Sequence, residues 1–324
     1  MKILAIRLAR FGDLVLLLPA LSLLKARLPN SHLTLLTDTR WGPLANMCPA
    51  IDQVITVDRI KMRDGPVWRA IIGMLRLLRD LRRRKFDATL DCHGFRETNL
   101  LTWWSGAPER WGLKRFDQSF FGFCFNRPPV VENKSLHASE PFIRIVQGIA
   151  PFPTTAEPSP SLVVPSEDLC WVREVLPSKP FVVLYVDAPV KERTWPLDRF
   201  VDLAHHIMTN LGSPVVVLSG SDPPVNTFPP NVQIFSDLSI SRLAAVIASA
   251  RMMVSNDTGP MHLGPAFGVP TIGIFSVGIP THFRPTGVRD CFVQGNPIEK
   301  VGVDQVVRAV DQVWSSIDRR DPQC

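Results

Sequence analysis

The sequence has no long apolar run. Its best candidate, Leu14 to Leu24, is interrupted by Pro19 and Ser22 and falls short of the roughly 18–20 residues that cross a bilayer, which argues against a transmembrane anchor. A secretory leader is not expected either. Arg7, Arg10 and Asp13 stand where the apolar stretch of a signal peptide would build, and no small-residue cleavage site follows, so a cytoplasmic protein is expected. Cysteine is sparse and scattered: the six residues at 48, 92, 124, 170, 291 and 324 form neither a CxxC pair nor a disulfide framework, a usage that suits free thiols in a reducing compartment. GxGxxG is absent, which disfavours an NAD enzyme. No histidine has a recognisable Ser or Cys partner for nucleophilic catalysis. Repeats with a fixed period and low-complexity tracts are lacking too.

What is present suits a globular protein: 45% of the residues are hydrophobic and 20% charged. A length of 324 residues is about twice that of an ordinary domain of roughly 100–200 residues, so two domains are expected. The 36 Lys and Arg against 30 Asp and Glu leave a net charge of +6. That balance favours anionic partners such as nucleotides, phosphorylated sugars or an acidic membrane face; nucleic acid is not among the partners expected.

Short apolar runs alternate with helical patterns along the first half. Lys2–Arg7, His32–Thr37, Gln53–Val57 and Asp87–Asp91 read as strands, and Asp13–Arg27, Trp68–Lys85 and a segment from Arg96 as helices. From about Asn126 to Pro180 the rhythm is interrupted and prolines crowd, as in Pro151-Phe152-Pro153 and Pro158-Ser159-Pro160. A domain boundary is placed there, giving domains 1–165 and 166–324. The rhythm then resumes with strands Phe181–Val186, Pro214–Ser219, Met252–Ser255 and Thr271–Phe275 and helices Leu197–Leu211 and Ile240–Ala250, with a short helix after Gly259. Such alternation implies α/β domains, each a mainly parallel sheet with helices on both faces.

In open sheets of this kind ligands bind at the carboxyl ends of the strands, and three segments at such ends stand out. Ser255-Asn256-Asp257-Thr258-Gly259-Pro260-Met261-His262 lies between a strand and a helix; Asp257 or Thr258 can cap that helix, and its amides can receive a diphosphate. An ordinary capped turn accounts for the same residues, and the five-residue spacing of Asp257 and His262 does not make a metal site. Arg10-Phe11-Gly12-Asp13 follows the first strand. A carboxylate there serves either as a cap favoured by the helix dipole or as a general base for an attacking hydroxyl. Lys191-Glu192-Arg193-Thr194-Trp195-Pro196 offers two cations for an anionic leaving group, although such residues are often simply solvated and Trp195 suits a core. The basic run Arg76, Arg79, Arg82, Arg83, Arg84 and Lys85 is either a solvated helix face or an attraction for anionic lipid.

In combination, the opening KILAIRLARFGDLVLLLPAL, the central LDCHGFRETNLL and APERWGL, LHASEPF, the KERTWPLDRF region and SNDTGPMHLGPAFGVPTIGIF resemble the ADP-heptose:lipopolysaccharide heptosyltransferases, glycosyltransferase family 9. The resemblance implies a GT-B architecture, two Rossmann-like doubly wound domains facing a central cleft, the first binding the acceptor and the second the nucleotide sugar. It implies an inverting transfer of heptose from ADP-heptose to a lipopolysaccharide core or related anionic glycan, with peripheral association at the inner face of the inner membrane and no cofactor or metal. By position it makes Asp13 the general base, Arg10 an acceptor contact, and Lys191, Arg193, Asp257, Thr258, Gly259 and His262 donor contacts. Arg193 stands where the family commonly has lysine. Val186-Asp187-Ala188-Pro189 lacks the usual glycine, and Phe275-Ser276-Val277-Gly278-Ile279-Pro280 departs from the family pattern. A sugar-nucleotide epimerase or hydrolase, or a non-catalytic nucleotide-sugar-binding protein, are the alternative readings.

Overall fold

β1 (Lys2–Arg7) is buried from Ile3 onward, the setting that an unbroken apolar run such as Ile3 to Ile6 requires, since strands of parallel sheets are covered on both faces. The computed structural model describes residues 1–8, 10–151, 162–221 and 227–318 and divides into two units, Met1–Val163 and Val164–Cys324. The prolines read as the boundary, Pro153, Pro158 and Pro160, lie outside the described residues, as does Cys324.

In the first unit β1 is joined by β2 (His32–Asp38), β3 (Gln53–Val57), β4 (Ala88–Asp91), β5 (Glu109–Lys114) and β6 (Val130–Val131) in the order β3-β2-β1-β4-β5-β6. The second unit repeats that winding with β7 (Val182–Tyr185), β8 (Val215–Ser219), β9 (Gln233–Ser236), β10 (Met252–Asn256), β11 (Thr271–Phe275) and β12 (Cys291–Gln294), ordered β12-β11-β10-β7-β8-β9. All the pairings are parallel. These are the two Rossmann-like, doubly wound α/β sheets expected of the sequence. In each, strand order reverses beside the first strand, between β1 and β4 and between β7 and β10, and the carboxyl ends at that switch point are where such sheets take ligands.

Helices bury their apolar stripes on the sheets. Helix Leu197–Asn210 buries Phe200, Leu203, Ala204 and Ile207 in a core with Val182, Leu184, Val217 and Val254, the larger of these side chains contributing about 1.5–3 kcal/mol each. It ends where Gly212 takes φ +62°, a conformation glycine adopts without a Cβ clash. The single helix expected over Asp13–Arg27 is instead two, Phe11–Val15 and Leu18–Arg27. Pro19 has no N–H to offer the Val15 carbonyl, so the first helix stops and the second restarts with proline in its first turn. The interval from Asn126 to Pro180 also holds more order than its prolines suggest, with helices Glu140–Ile149 and Ser166–Val175. No helix among the described residues is long and apolar enough to cross a membrane.

Candidate active site

At the switch point of the first unit, register sets Ile6 opposite Asp91, so Arg7 ends β1 beside Cys92. Arg7 Nη1 donates to the Cys92 carbonyl at 2.5 Å, Nη2 lies 3.1 Å from Asp13 Oδ1, and the Phe142 ring centre is 4.8 Å from the guanidinium carbon. The arginine is 2% exposed and the aspartate 31%. Burial lowers the Arg7 pKa from the ordinary arginine value, and the charge of Asp13 is the main opposing influence. Asp13 also accepts the Arg10 backbone N–H at 3.4 Å. Its carboxylate is thus fixed from beneath and open on the solvent side, the placement a proton acceptor needs. The Arg10 side chain is exposed.

The end of β4 forms a rigid floor next to this pair. Asp91 Oδ1 accepts the backbone N–H groups of His93 and Gly94 at 3.0 and 2.9 Å, and Oδ2 accepts from Asn99 Nδ2 at 2.7 Å. Burial pushes the Asp91 pKa up, with these donors opposing. The turn needs a glycine, because Gly94 has φ +74° and a Cβ there would meet the Leu113 carbonyl oxygen at 2.6 Å. His93 is 4% exposed and stacks on Phe95 with ring centres 4.4 Å apart. Burial, reinforced by the positive charges of Arg7, Arg115 and Arg59, drives its pKa down to about 2, so the ring is neutral.

In the second unit three loops are stitched together at the equivalent edge. Asn256, fully buried at the end of β10, donates from Nδ2 to the Val186 carbonyl at 2.6 Å and accepts the Trp195 backbone N–H at 3.1 Å. Trp195 is core, the role expected of it: it is fully buried and its Nε1 donates to the Val301 carbonyl at 2.8 Å. Ser276 Oγ, just after β11, donates to the Glu192 carbonyl. These bonds hold the 3-10 turn Lys191–Arg193 against the ends of β10 and β11. Arg193 Nη1 then stands 3.2 Å from Asp257 Oδ2, with the guanidinium 33% exposed and the carboxylate 5%. Burial raises the Asp257 pKa and Arg193 opposes the rise. Gly278 packs so closely that a Cβ would lie 2.3 Å from Asp257 Oδ2.

Arg193 Nε–H is itself buried and has no hydrogen-bond partner among the described residues, so what this half-open guanidinium presents to a phosphate is its Nη end, beside the contact to Asp257. The following turn departs from the expected capped helix. Residues Gly259–His262 are a 3-10 turn and Leu263–Ala266 a single helical turn, with no side-chain cap from Thr258, and the Asp257 carboxylate faces Arg193 instead of the turn's amides. Pro260 carries no N–H and the Met261 N–H goes to the Thr258 carbonyl at 3.2 Å, so fewer amides are left for an anion than a longer helix would offer. Lys191 is exposed, Thr258 and Gly259 half-buried and His262 buried. After β7, Asp187 Oδ2 accepts from Ser219 Oγ at 2.7 Å and the Gly220 N–H at 2.6 Å, which closes the loop where the usual glycine is missing. Among the described residues no three His, Cys, Asp or Glu side chains are grouped as metal ligands.

The structure therefore joins Asp13 to Arg7 and Arg193 to Asp257. Arg7, Asp91, Asn256 and Gly278 were not singled out from sequence. Arg7 carried a usable signal, being a charged residue at the end of a strand that reads as buried.

Comparison with known proteins settles the family. A model described as glycosyltransferase family 9 (heptosyltransferase) matches residues 74–303. The chain belongs to glycosyltransferase family 9. Lipopolysaccharide heptosyltransferase 1 of Pseudomonas aeruginosa is 22% identical over 293 residues, covering 85% of this chain and 78% of that protein. Among solved structures, a glycosyl transferase family 9 protein from Veillonella parvula superposes with a TM-score of 0.82 at 21% identity, covering 97% of each chain. The ADP-heptose lipopolysaccharide heptosyltransferase II of E. coli gives 0.79 at 18% identity, covering 98% of this chain and 100% of that one. At these identities the structural likeness speaks for the fold, two doubly wound sheets of the GT-B class. The family makes the protein a glycosyltransferase.

Proposed function

We propose that this family 9 enzyme transfers heptose from ADP-heptose to a lipopolysaccharide core or a related anionic glycan, in one displacement with inversion. The observation that supports the reading is a charged pair at the switch point of each sheet: Arg7 with Asp13 in the first unit, Arg193 with Asp257 in the second. One offers a half-exposed carboxylate to a hydroxyl, the other a half-exposed guanidinium to a phosphate.

Asp13 takes the proton of the acceptor hydroxyl as its oxygen attacks the anomeric carbon. The bond from that carbon to the diphosphate breaks, and ADP leaves. Arg193, oriented by Asp257, and Lys191 meet the negative charge that develops on the leaving group, the kind of preorganised stabilisation that dominates such barriers. Thr258, Gly259 and His262 contribute further donor contacts and Arg10 an acceptor contact. The nucleotide sugar is a substrate, and no cofactor enters the scheme. The acceptor glycolipid is met at the cytoplasmic face of the inner membrane.

The test is purified protein with ADP-heptose, with and without a truncated lipopolysaccharide acceptor, scoring ADP release and acceptor mass. Acceptor-dependent ADP release with a gain of one heptose is the expected result. Donor breakdown without acceptor modification would overturn the reading in favour of an epimerase or hydrolase, and saturable nucleotide binding without turnover in favour of a binding protein.

A further inference from the structure

Helix Val67–Arg84 uses one face and leaves another uncovered. Met74, Leu77, Leu78 and Leu81 turn inward onto the core around Leu4, Ile6 and Leu36. On an adjoining face Trp68, Ile71, Ile72 and Leu75 follow i, i+3, i+4, i+7 spacing, a single stripe, and are 59, 54, 40 and 59% exposed. Arg69, Arg76, Arg79 and Arg83, all exposed, form the stripe beside it. Nearby acidic groups are already engaged, Asp80 with Arg84 at 2.8 Å and Asp64 with Arg63 at 2.7 Å. Between this helix and helix Arg59–Asp64 lies a cavity of about 730 Å³ whose walls include Val57, Ile60, Ala70 and Leu77, with Arg69 and Arg76 also lining it.

The neighbouring helix Arg96–Ser105 exposes apolar side chains too. Arg82 Nη1 donates to the Trp104 carbonyl at 3.3 Å, and Leu100, Trp103 and Trp104 are 44, 46 and 44% exposed. Large apolar side chains clustered on an exposed helix face mark a contact site, and the arginine stripe selects the partner. An apolar stripe with tryptophan, flanked by guanidinium groups, matches the boundary of acyl chains and phosphate headgroups of an anionic bilayer. The helix connects parallel strands β3 and β4, so it runs back against the strand direction and its first turn, with Trp68, lies at the carboxyl edge that carries Asp13.

We propose that the outer face of helix Val67–Arg84, extended by Trp103 and Trp104, docks on anionic phospholipid bilayer and holds the acceptor-binding edge of the first unit at the surface where a glycolipid acceptor is embedded. The inference deepens the acceptor reading given above and rests on it for the purpose of docking; the binding itself is tested with no donor present. The full chain is sedimented with vesicles of phosphatidylcholine containing phosphatidylglycerol, and with phosphatidylcholine alone. Binding is expected to the first only and to weaken as salt is raised. Replacing Arg76, Arg79 and Arg83 together by Gln should lower partitioning about a hundredfold, and Trp68→Ser with Leu75→Gln should lower the fraction sedimented with vesicles and reduce the vesicle-induced blue shift of tryptophan fluorescence, to which Trp103 and Trp104 also contribute. Both sets are surface changes, so melting temperature and transfer to a delipidated acceptor stay at the parent value while transfer to vesicle-embedded acceptor falls. A parent protein that ignores anionic vesicles, or variants that bind them equally well, would overturn the proposal. So would a parent dimer that the Trp68 and Leu75 changes split without lipid, which would make the patch a contact between copies. An enzyme that binds vesicles but transfers nothing would leave docking standing and refute the transfer reading instead.

Discussion

Replacing Asp13 by Asn keeps the size of the side chain and an oxygen for the Arg10 N–H, and removes the proton acceptor and the counter-charge of Arg7. General-base assistance is worth roughly 10²–10⁴-fold in rate, about 3–5 kcal/mol of barrier, so turnover should fall by that factor. Stability should fall as well, by less. Leaving a fully buried cation unpaired costs about 3–5 kcal/mol, but Asp13 is 31% exposed and solvent screens its pair, which reduces the loss to about 1–2 kcal/mol. Arg7 keeps the Cys92 carbonyl and the Phe142 ring. The first unit should melt a few degrees lower, given about 2–4 °C per kcal/mol for a chain of that size. Adding Arg7→Met should restore most of the lost stability, since no unpaired buried cation remains, and should leave turnover low. Steady-state transfer, nucleotide titration and thermal melts read all three quantities. Asp13→Asn turnover within threefold of the parent, or a loss of nucleotide affinity that tracks the loss of turnover, would refute the assignment.

The second unit yields two further expectations. Arg193→Met should raise the KM for the donor about tenfold or more and lower kcat, with Arg193→Lys recovering part of the effect because it restores the charge without the fork; equal kinetics for all three proteins would exclude Arg193 from the donor site. Gly278→Ala should push on the Asp257 carboxylate, 2.3 Å from the new Cβ, and weaken donor binding with an unchanged circular dichroism spectrum, whereas parent-like affinity would show that the loop yields. His93 sets a pH dependence: its pKa of about 2 in the fold lies below the unfolded value of about 6.5, so the unfolded chain binds a proton that the native state refuses. Its contribution is therefore present above about pH 6.5 and is lost by about 1.4 kcal/mol per unit as pH falls below that. His93→Gln should flatten the acid limb of a melting-temperature profile, and parallel profiles would contradict the buried neutral ring.

The strands that carry the site were legible because they are central. β1, β7, β10 and β11 are buried on both faces and so read as unbroken apolar runs. Of the edge and outer strands only β3, with its Val54-Ile55 core, was read; β5, β6, β9 and β12 were not. β12 alternates half-buried and exposed over four residues and β9 is largely exposed, too short for a period to emerge, while β5 carries Glu109, Arg110 and Lys114 around a buried Gly112-Leu113. Helix Val303–Asp318 had a visible signal in Val303, Val306, Val310 and Val313 at helical spacing that went unread. At the site, Asp13, Arg193 and Asp257 could be located by their place after a strand. Their pairing could not: Arg7 reaches Asp13, and Arg193 reaches Asp257, only through the sheet register and loop closures that tertiary structure supplies.

A direct displacement leaves a stereochemical record. The most pointed measurement is the anomeric configuration of the newly attached heptose, read from its one-bond carbon–hydrogen coupling after transfer from ADP-heptose of defined configuration. A single displacement of the diphosphate by a hydroxyl that Asp13 deprotonates predicts a product of inverted configuration. A product with the donor's configuration retained would exclude a single in-line displacement and would contradict the role given to Asp13.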